Sequence, residues 1–195
     1  SKELLISLTN SENPEQLFSN ENFPWLSSKE IEINMIPTLA IRVAYTGELG
    51  WELHYPVEFQ NKLLDILLEA GKNFDLKLVG ARAQNWLRQE KSYRAFGNEL
   101  GRDAGLVEAG LDKFVNLNKE FLGKSGLQNR SIKSKCVTLL IDGPKDCDPW
   151  GREAIYKEGK TVGRLTSGGY SVVFEKSIGM GYTVSYTHLT LPTIA

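Results

Sequence analysis

Side chains that could carry out chemistry are sparse in this chain of 195 residues. It has two cysteines, Cys136 and Cys147, and two histidines, His54 and His188. A Ser-His-Asp triad could use only His54, because His188 lies in a tail that resembles foreign sequence. No pattern in the sequence indicates which residue would be the nucleophile. Walker A, GxGxxG and HExxH patterns are absent, and a structural zinc site needs more Cys or His than this. We therefore predict no metal site, and the usual catalytic sets are excluded.

A predicted β-hairpin positions the most suggestive of the remaining polar side chains. Apolar residues alternate with smaller or polar ones over residues 39–45 and again over 51–55, which is the period of a β-strand. The link at 46–50 contains two glycines, which favours a hairpin connection. Alternation then places Glu52 and His54 on one face of the second strand and its apolar residues on the other.

Helical periodicity surrounds this hairpin. Residues 1–8 resemble the end of a helix, 59–70 form an amphipathic helix before Gly71, and 79–90 suggest a further helix. Upstream of the hairpin, residues 31–35 predict a strand that is stopped by Pro37.

From residue 134 onward the pattern changes to short strands separated by Gly- and Pro-rich turns. These predicted strands are 136–141, 153–156, 161–165 and 177–182. The order of elements predicts an α+β section followed by an all-β section. The polar stretch at 129–133 marks the expected boundary between them.

Composition excludes several classes of partner. The formal net charge is −1, so neither a nucleic acid nor a basic membrane-surface patch is indicated. No stretch approaches the apolar length of a membrane span. The first residue is Ser1 rather than Met, so the sequence carries no evidence on targeting.

The last residues do not resemble the rest of the chain. Residues 184–195 resemble the translation of a sequencing adapter, and we expect the natural sequence to end near Tyr182 or Thr183. This tail is excluded from the reasoning about fold, as any processing or expression scar would be.

The remaining sequence resembles the glycine-cleavage T-protein family. The resemblance rests on four signatures that occur in family order: Arg42–His54, Gly80–Arg94, Glu108–Leu111 followed by Phe121–Lys124, and Gly163–Ser171. It implies a partial folate-binding T-protein-type domain at 1–130 and a truncated all-β, barrel-like C-terminal domain at 131–183.

Details within the signatures resemble one branch of that family. The glycine-cleavage enzyme usually has an arginine four residues before the one that corresponds to Arg88. At that position this chain has Gln84, and it has an arginine, Arg82, two residues earlier. The placement of Arg82 and the Lys91–Arg94 ending are closer to the tails of dimethylglycine and sarcosine dehydrogenases. In those proteins an N-terminal domain that binds FAD precedes the folate domain.

The resemblance implies a tetrahydrofolate site. Glu52 matches the family glutamate that accepts two hydrogen bonds from the pterin edge, and charge-assisted bonds of this kind are strong. Tyr45 and Tyr93 match aromatic residues that line the same site, since aromatic faces suit a flat ring. Leu53 and His54 adjoin Glu52 and are predicted to reach the cofactor.

Spacing alone supports plainer interpretations of the same residues. Most strand carboxylates face water, so Glu52 and His54 could be solvated strand residues, and the tyrosines could lie at the edge of the core. Arg88 and Glu90 are better interpreted as structural residues than as substrate ligands. Arg82 either replaces the missing arginine or forms a salt bridge on the helix surface.

The parent reaction, by resemblance, is oxidative demethylation of a small N-methyl amine. The flavin removes a hydride equivalent, the folate nitrogen attacks the resulting iminium, and 5,10-methylenetetrahydrofolate is the product. The family aspartate near the reacting nitrogen is expected upstream of Ser1, so no catalytic residue is assigned and the chain by itself is expected to be inactive. The expected compartment is the cytoplasm of a bacterium or the mitochondrial matrix of a eukaryote.

Three alternatives remain open. The chain could belong to a stand-alone aminomethyltransferase of the glycine-cleavage system, or to a sulfonium demethylase with the same folate fold. A non-enzymatic folate-binding iron–sulfur assembly factor is the third, but such proteins carry a Lys-Gly-Cys-Tyr-x-Gly-Gln-Glu motif. The corresponding stretch at 89–99 has no cysteine.

Overall fold

A computed structural model of the chain describes residues 1–144 and 148–184. Contacts divide the chain into two compact units, residues 1–80 and residues 81 onward. The domain limits expected at 130 and 183 stay predictions, and the adapter-like tail lies outside the described residues except for Val184. Within the described ranges, no helix has the length and apolar character needed to cross a membrane.

A three-stranded antiparallel sheet organises the first unit. Its strands are β1 (Ser28–Ile33), β2 (Ile36–Ile41) and β3 (Glu52–His54), in the order β1-β2-β3. Asn34 and Met35 connect β1 to β2 with φ of 46° and 64°. Two consecutive residues with positive φ make the tight two-residue turn whose twist matches that of a hairpin.

The prediction that Pro37 stops the upstream strand is wrong. Pro37 lies inside β2, opposite Glu32 of β1. Because Ile33 and Ile36 flank the two-residue turn as the hydrogen-bonded pair, the next pair is a non-hydrogen-bonded one and the nitrogen of Pro37 points away from β1. β3 reaches only as far as Leu39 on that other side, so the missing N–H of the proline costs no ladder hydrogen bond.

The predicted hairpin is confirmed, but its connection is longer than expected. β2 ends at Ile41, and β3 pairs with it through Leu39–His54, Ala40–Leu53 and Ile41–Glu52. The backbone N–H of Arg42 donates to the carbonyl of Ser27, and that of Val43 donates back to Ile41. The second of these bonds closes a γ-turn, at which the chain leaves the sheet. Tyr45 therefore lies in the connection, not on the strand that alternation predicted.

Helices cover one face of this sheet. They are α1 (Lys2–Leu8), α2 (Pro14–Leu17) and α3 (Gln60–Gly71), the last preceded by a 3₁₀ turn at Val57–Phe59 and followed by another at Lys72–Phe74. Buried side chains from strands, helices and loops form a single core: Leu5, Phe18, Phe23, Ile31, Ile33, Ile36, Ala40 and Leu63.

The second unit begins with the second predicted helix and ends with the predicted strands. Its elements are α4 (Ala81–Glu90), a 3₁₀ turn at Asp112–Phe114, α5 (Lys124–Gln128), β4 (Ser134–Ile141), β5 (Ala154–Lys157), β6 (Lys160–Ser171) and β7 (Lys176–Val184). The strands form an antiparallel sheet in the order β4-β7-β6-β5. This sheet does not close into a barrel within the described residues.

β6 is longer than predicted because its glycines serve close packing and not a turn. A Cβ on Gly169 would overlap the indole ring of Trp86 on α4, and a Cβ on Gly168 would overlap the carbonyl of Pro149. Glycine in a strand often marks such a close approach. α4 therefore packs directly against β6 through an indole ring laid on bare backbone.

Candidate functional site

The open face of the first sheet presents the carboxylate of Glu52. Cross-strand partners share a face, so Glu52 lies beside Ile41, and His54 lies beside Leu39. The side chains of Glu52 and His54 are 55% and 57% exposed, and the imidazole Nε2 lies 3.7 Å from the carboxylate Oε2. This distance is too long for a hydrogen bond, and exposed pairs of this kind contribute little to stability. The carboxylate can therefore accept hydrogen bonds from a ligand.

A groove runs beside this pair on the same unit. It encloses about 500 Å³ and is lined by residues of β1 and β2, including Glu30, Glu32 and Leu39. Leu39 is also the cross-strand partner of His54, so the groove is adjacent to the imidazole. The exposed sheet face thus combines carboxylates with an accessible apolar surface.

An aromatic cluster holds the start of β3 in place. The indole of Trp51 meets the ring of Phe18 edge-on, with centroids 5.5 Å apart, and lies 6.1 Å from the ring of Phe23. Arg42 lies over the indole at 5.9 Å, and its Nη1 donates to the carbonyl of Phe23. Since Trp51 directly precedes Glu52, this packing determines where β3 begins and which face carries the carboxylate.

The predicted cofactor-binding residues lie in three kinds of local environment. Glu52 and His54 lie together on the open face. The side chain of Leu53 points to the opposite face and packs against the core, so only its backbone could meet a ligand there. Tyr45 is half-buried in the connection, and Tyr93 belongs to the second unit. Their roles towards folate stay predictions.

Tyr93 follows α4 through a helix-ending motif. Ser92 adopts φ of 56° and donates its N–H to the carbonyl of Gln89, at 2.9 Å. The N–H of Tyr93 donates to the carbonyl of Arg88, also at 2.9 Å. This pair of bonds is the Schellman pattern, in which glycine usually occupies the left-handed position. Serine takes that position here, and its Oγ lies 2.8 Å from Oγ1 of Thr138.

A buried ion pair lies under α4. The side chains of Arg88 and Glu99 are both fully buried, and Nη1 of Arg88 lies 2.7 Å from Oε2 of Glu99. The hydroxyls of Thr166 and Ser167 each donate to Oε1 of Glu99 at 2.6 Å. Burial alone would raise the pKa of Glu99, but these hydrogen bonds, one from the backbone of Ala95 and the charge of Arg88 together lower the pKa below its ordinary value.

The interpretation of Arg88 and Glu90 as structural residues is confirmed by this geometry. Glu90 is buried, and its Oε1 accepts hydrogen bonds from the hydroxyl of Ser171 and the backbone N–H of Val173. Gln89, between them, donates to the carbonyl of Gly168. The three consecutive side chains Arg88, Gln89 and Glu90 of α4 are therefore all hydrogen-bonded to β6.

Sequence reasoning missed Glu99 and Ser167 as members of this network. Glu99 follows the second signature, and Ser167 lies inside the fourth, but neither position shows periodicity that predicts burial. They lie 11 and 79 residues from Arg88, and only folding brings them together.

Arg82 lies close to two tryptophan rings, an arrangement that the sequence did not predict. Its guanidinium lies 5.1 Å from the ring of Trp86 and 4.9 Å from that of Trp150. An arginine between two aromatic faces is held by cation–π attraction, which is strongest for tryptophan. Among the described residues, the observed partners of Arg82 are therefore two rings and not a salt-bridge carboxylate, and its replacement of the missing arginine stays a prediction.

Two further cavities lie in the second unit. One of about 480 Å³ is mainly apolar and includes Phe96, Leu106 and Leu122 in its lining. The other encloses about 340 Å³ and includes Asp103, Arg164 and the hydroxyl-bearing Tyr182 in a more polar lining. Glu52 lines neither of these cavities nor the groove of the first unit.

Comparison with known families identifies the chain. The model of the GCVT N-terminal domain matches residues 1–119, and that of the glycine cleavage T-protein C-terminal barrel domain matches residues 135–188. This chain belongs to the glycine cleavage T-protein family. The resemblance inferred from the four signatures is thereby confirmed, and with it the fold class.

Individual members of the T-protein family show how the chain compares with complete proteins. It is 42% identical over 173 residues to human mitochondrial dimethylglycine dehydrogenase, covering 84% of this chain and 19% of that protein. The rat protein of the same name is 41% identical over 173 residues, with 84% and 20% covered. An aminomethyltransferase of Desulfitobacterium hafniense is 35% identical over 164 residues, with 82% and 44% covered.

The chain thus spans about a fifth of the length of the dehydrogenases and less than half of the aminomethyltransferase. Among solved T-proteins, the glycine cleavage system aminomethyltransferase T of Bartonella henselae superimposes with a TM-score of 0.73 at 22% identity. That comparison covers 88% of this chain and 48% of the other, and it shows a shared fold.

Proposed function

We propose that this chain is the folate-binding part of a tetrahydrofolate-dependent one-carbon transfer enzyme, and that the complete protein is a flavin-dependent dehydrogenase of the dimethylglycine or sarcosine type. The observation that carries the proposal is an accessible carboxylate, Glu52, on the open face of a T-protein-family hairpin. The higher identity to dimethylglycine dehydrogenases than to aminomethyltransferases favours the dehydrogenase branch.

The role proposed for Glu52 is to bind the pterin ring of tetrahydrofolate. The pterin presents N–H donors side by side, and a carboxylate can accept two of them at once. The carboxylate of Glu52 is accessible, because its side chain is 55% exposed and Nε2 of His54, 3.7 Å from Oε2, is too far away for a hydrogen bond. We propose Tyr45, His54, the backbone of Leu53 and Tyr93 as further folate contacts.

The remaining chemistry is assigned to parts of the complete protein that this chain does not contain. FAD, held by an N-terminal domain, would supply the oxidation of a small N-methyl amine, and the folate domain would yield 5,10-methylenetetrahydrofolate. The acid–base group near the reacting folate nitrogen is proposed to lie in that additional sequence. The protein would work in the cytoplasm of a bacterium or the mitochondrial matrix of a eukaryote.

Substitution of Glu52 in the full-length protein tests the folate assignment. Glu52→Gln removes the charge and replaces one acceptor with a donor, so we expect folate affinity to fall by about 1.5–3 kcal/mol, the scale of a hydrogen bond to a charged group. Isothermal titration with tetrahydrofolate measures this loss. Glu58→Gln is the matched control, since Glu58 is an exposed glutamate of the same unit that lies outside both the sheet and the groove.

Equal affinity of the Glu52→Gln variant and the wild type would reject the assignment of Glu52. An equal loss in the Glu58→Gln variant would show a general effect of negative charge on the first unit, and would also reject a specific pterin contact.

A stand-alone aminomethyltransferase is the second candidate, favoured by the 35% identity to the Desulfitobacterium enzyme. The flavin absorbance of the purified full-length protein separates the two candidates. A bound flavin, together with amine-dependent reduction of an electron acceptor, supports the dehydrogenase. A flavin-free protein that transfers a methylene group from aminomethyl donors supports the aminomethyltransferase.

A further inference from the structure

Both peptide groups of Tyr93 are bound to one residue. The N–H of Tyr93 donates to the carbonyl of Arg88 at 2.9 Å, within the Schellman pattern that ends α4. The carbonyl of Tyr93 accepts a hydrogen bond from Nη1 of the same arginine at 2.7 Å. A residue that is held from both sides in this way has little freedom to rotate its main chain, so the direction of its side chain is restricted.

The guanidinium of Arg88 is itself fully constrained. Its Nε and Nη2 donate to Oδ1 of Asn85 at 3.0 and 2.8 Å, and Nη2 also donates to the hydroxyl of Ser167 at 2.7 Å. Nη1 donates to Glu99 and to the carbonyl of Tyr93. All five N–H donors of an arginine are thus used, in the planar geometry that lysine cannot reproduce.

The segment after Tyr93 returns to the same arginine. Oε2 of Glu99 accepts a hydrogen bond from Arg88 and another, at 2.9 Å, from the backbone N–H of Ala95. Residues 93–99 therefore form a loop that is attached to Arg88 at both ends. The loop cannot shift without breaking hydrogen bonds in a fully buried network, where an unpaired charge is costly.

We propose that Arg88 is a positioning residue for folate binding, which acts by holding the main chain of Tyr93 so that its phenol ring meets the cofactor. This inference rests on the proposed function, because it takes Tyr93 to be a folate contact. Arg88 itself, with no exposed surface, touches no ligand. It orients a neighbour that does.

A double-mutant cycle in the full-length protein separates positioning from general stabilisation. Arg88→Lys keeps a positive charge beside Glu99 but removes the fork that reaches Tyr93. Tyr93→Ala removes the ring that is positioned. If Arg88 acts through this ring, Arg88→Lys and Tyr93→Ala each weaken tetrahydrofolate binding by about tenfold, and the double variant is no weaker than Tyr93→Ala alone.

A second variant protects the test against misfolding of Arg88→Lys. Asn85→Ala leaves the ion pair between Arg88 and Glu99 in place and removes only one acceptor of the guanidinium. Ser171→Ala is the matched structural control, because it breaks another buried hydrogen bond between α4 and β6, to Glu90, without touching Arg88. We expect Asn85→Ala to weaken folate binding and Ser171→Ala to leave it unchanged. The loss caused by Asn85→Ala should disappear when Tyr93 is also replaced by alanine. Circular dichroism checks that both variants are folded.

Three results would overturn the inference, and they differ from each other. Additive losses in the double variant would show that Arg88 acts on folate binding by another route. An equal, Tyr93-dependent loss for Ser171→Ala would show that any weakening of α4 has the same effect. No loss for Tyr93→Ala would remove Tyr93 from the folate site and overturn the inference through that assignment, whereas failure of the wild type to bind folate would reject the proposed function itself.

Discussion

At the scale of single residues, a network of buried charged and polar side chains lies between α4 and β6, where apolar contacts are more usual. Arg88 and Glu99 are fully buried, and every N–H of the guanidinium and both oxygens of the carboxylate have hydrogen-bond partners within the second unit. Removing one member of such a pair leaves the other as an uncompensated buried charge. The two residues are therefore more sensitive to substitution than an exposed pair such as Glu52 and His54.

The lowered pKa of Glu99 makes part of the stability of this network dependent on pH. The group is a carboxylate with a folded-state pKa below its ordinary value of 4.5, so its contribution is fully present above that value and is lost as the pH falls through the folded-state pKa. Glu99→Gln removes the contribution at every pH and should lower the free energy of unfolding by about 3 kcal/mol or more at neutral pH. Urea denaturation of both proteins between pH 7 and acid pH measures the difference.

Wild type and Glu99→Gln share all other titratable groups, so the difference between their free energies of unfolding cancels the pH dependence that those groups cause. Glu108 also has a pKa that is lowered, against the opposing effect of burial, by hydrogen bonds from Gly105 and Arg130, and it titrates equally in both. We expect the gap in stability between wild type and Glu99→Gln to narrow below the ordinary pKa of a glutamate. A gap that stays constant down to the acid transition would contradict the assignment.

At the scale of elements, the end of α4 is built without the residue that usually ends a helix. Ser92 occupies the left-handed position at φ of 56°, which strains any residue with a Cβ. Its hydroxyl makes a contact of 2.8 Å with Thr138 on β4, which offsets part of that strain. The helix end is therefore also an attachment to the sheet.

Two substitutions at Ser92 separate the backbone strain from the hydroxyl contact. Ser92→Ala and Ser92→Gly both lose the bond to Thr138, but only glycine relieves the strained φ. We expect the free energy of unfolding of the glycine variant to be about 1 kcal/mol higher than that of the alanine variant, which is the usual difference at a left-handed position. Thermal and denaturant unfolding of the two variants measure this difference, and equal stability would show that Ser92 is not strained.

At the scale of the whole molecule, the chain divides into two compact units. The first has a core that includes Phe18, Phe23 and Leu63 together with Ile31, Ile33 and Ile36. The second is held by α4 against β6 and β7, with buried Met180, Ile178 and Leu165 in the sheet. Each unit therefore has apolar side chains buried in its own interior.

Removal of a core side chain from one unit should act mainly on that unit. Leu63 is 1% exposed, so Leu63→Ala leaves a cavity and should cost about 2–5 kcal/mol. We expect hydrogen exchange, followed by mass spectrometry, to accelerate in peptides from residues 1–80 and to stay unchanged in those from α4 and the second sheet. Equal acceleration in both sets would show that the two units unfold as one.

Local patterns in the sequence were sufficient for most helices and strands. Apolar spacing predicted α1, α3, α4 and the four strands of the second sheet, because side-chain periodicity depends only on neighbours along the chain. The alternation of 51–55 also predicted correctly that Glu52 and His54 share the face opposite Leu53. The family, and so the expected cofactor, followed from motifs that are likewise continuous in the sequence.

Tertiary structure decided the features that depend on distant partners. Pro37 is tolerated inside β2 because β3 does not extend that far. Gly169 lies in a strand where Trp86 packs so closely that a Cβ would overlap its ring. Arg82 lies close to two rings, those of Trp86 and Trp150, which are 64 residues apart in the chain. Whether a charged residue such as Arg88 is buried depends on acceptors from β6 and from the loop that follows α4. The sequence by itself determined which elements form and which family they belong to, whereas the partners of each buried polar group emerged only when the chain was folded, since no local pattern encodes a contact across 79 residues.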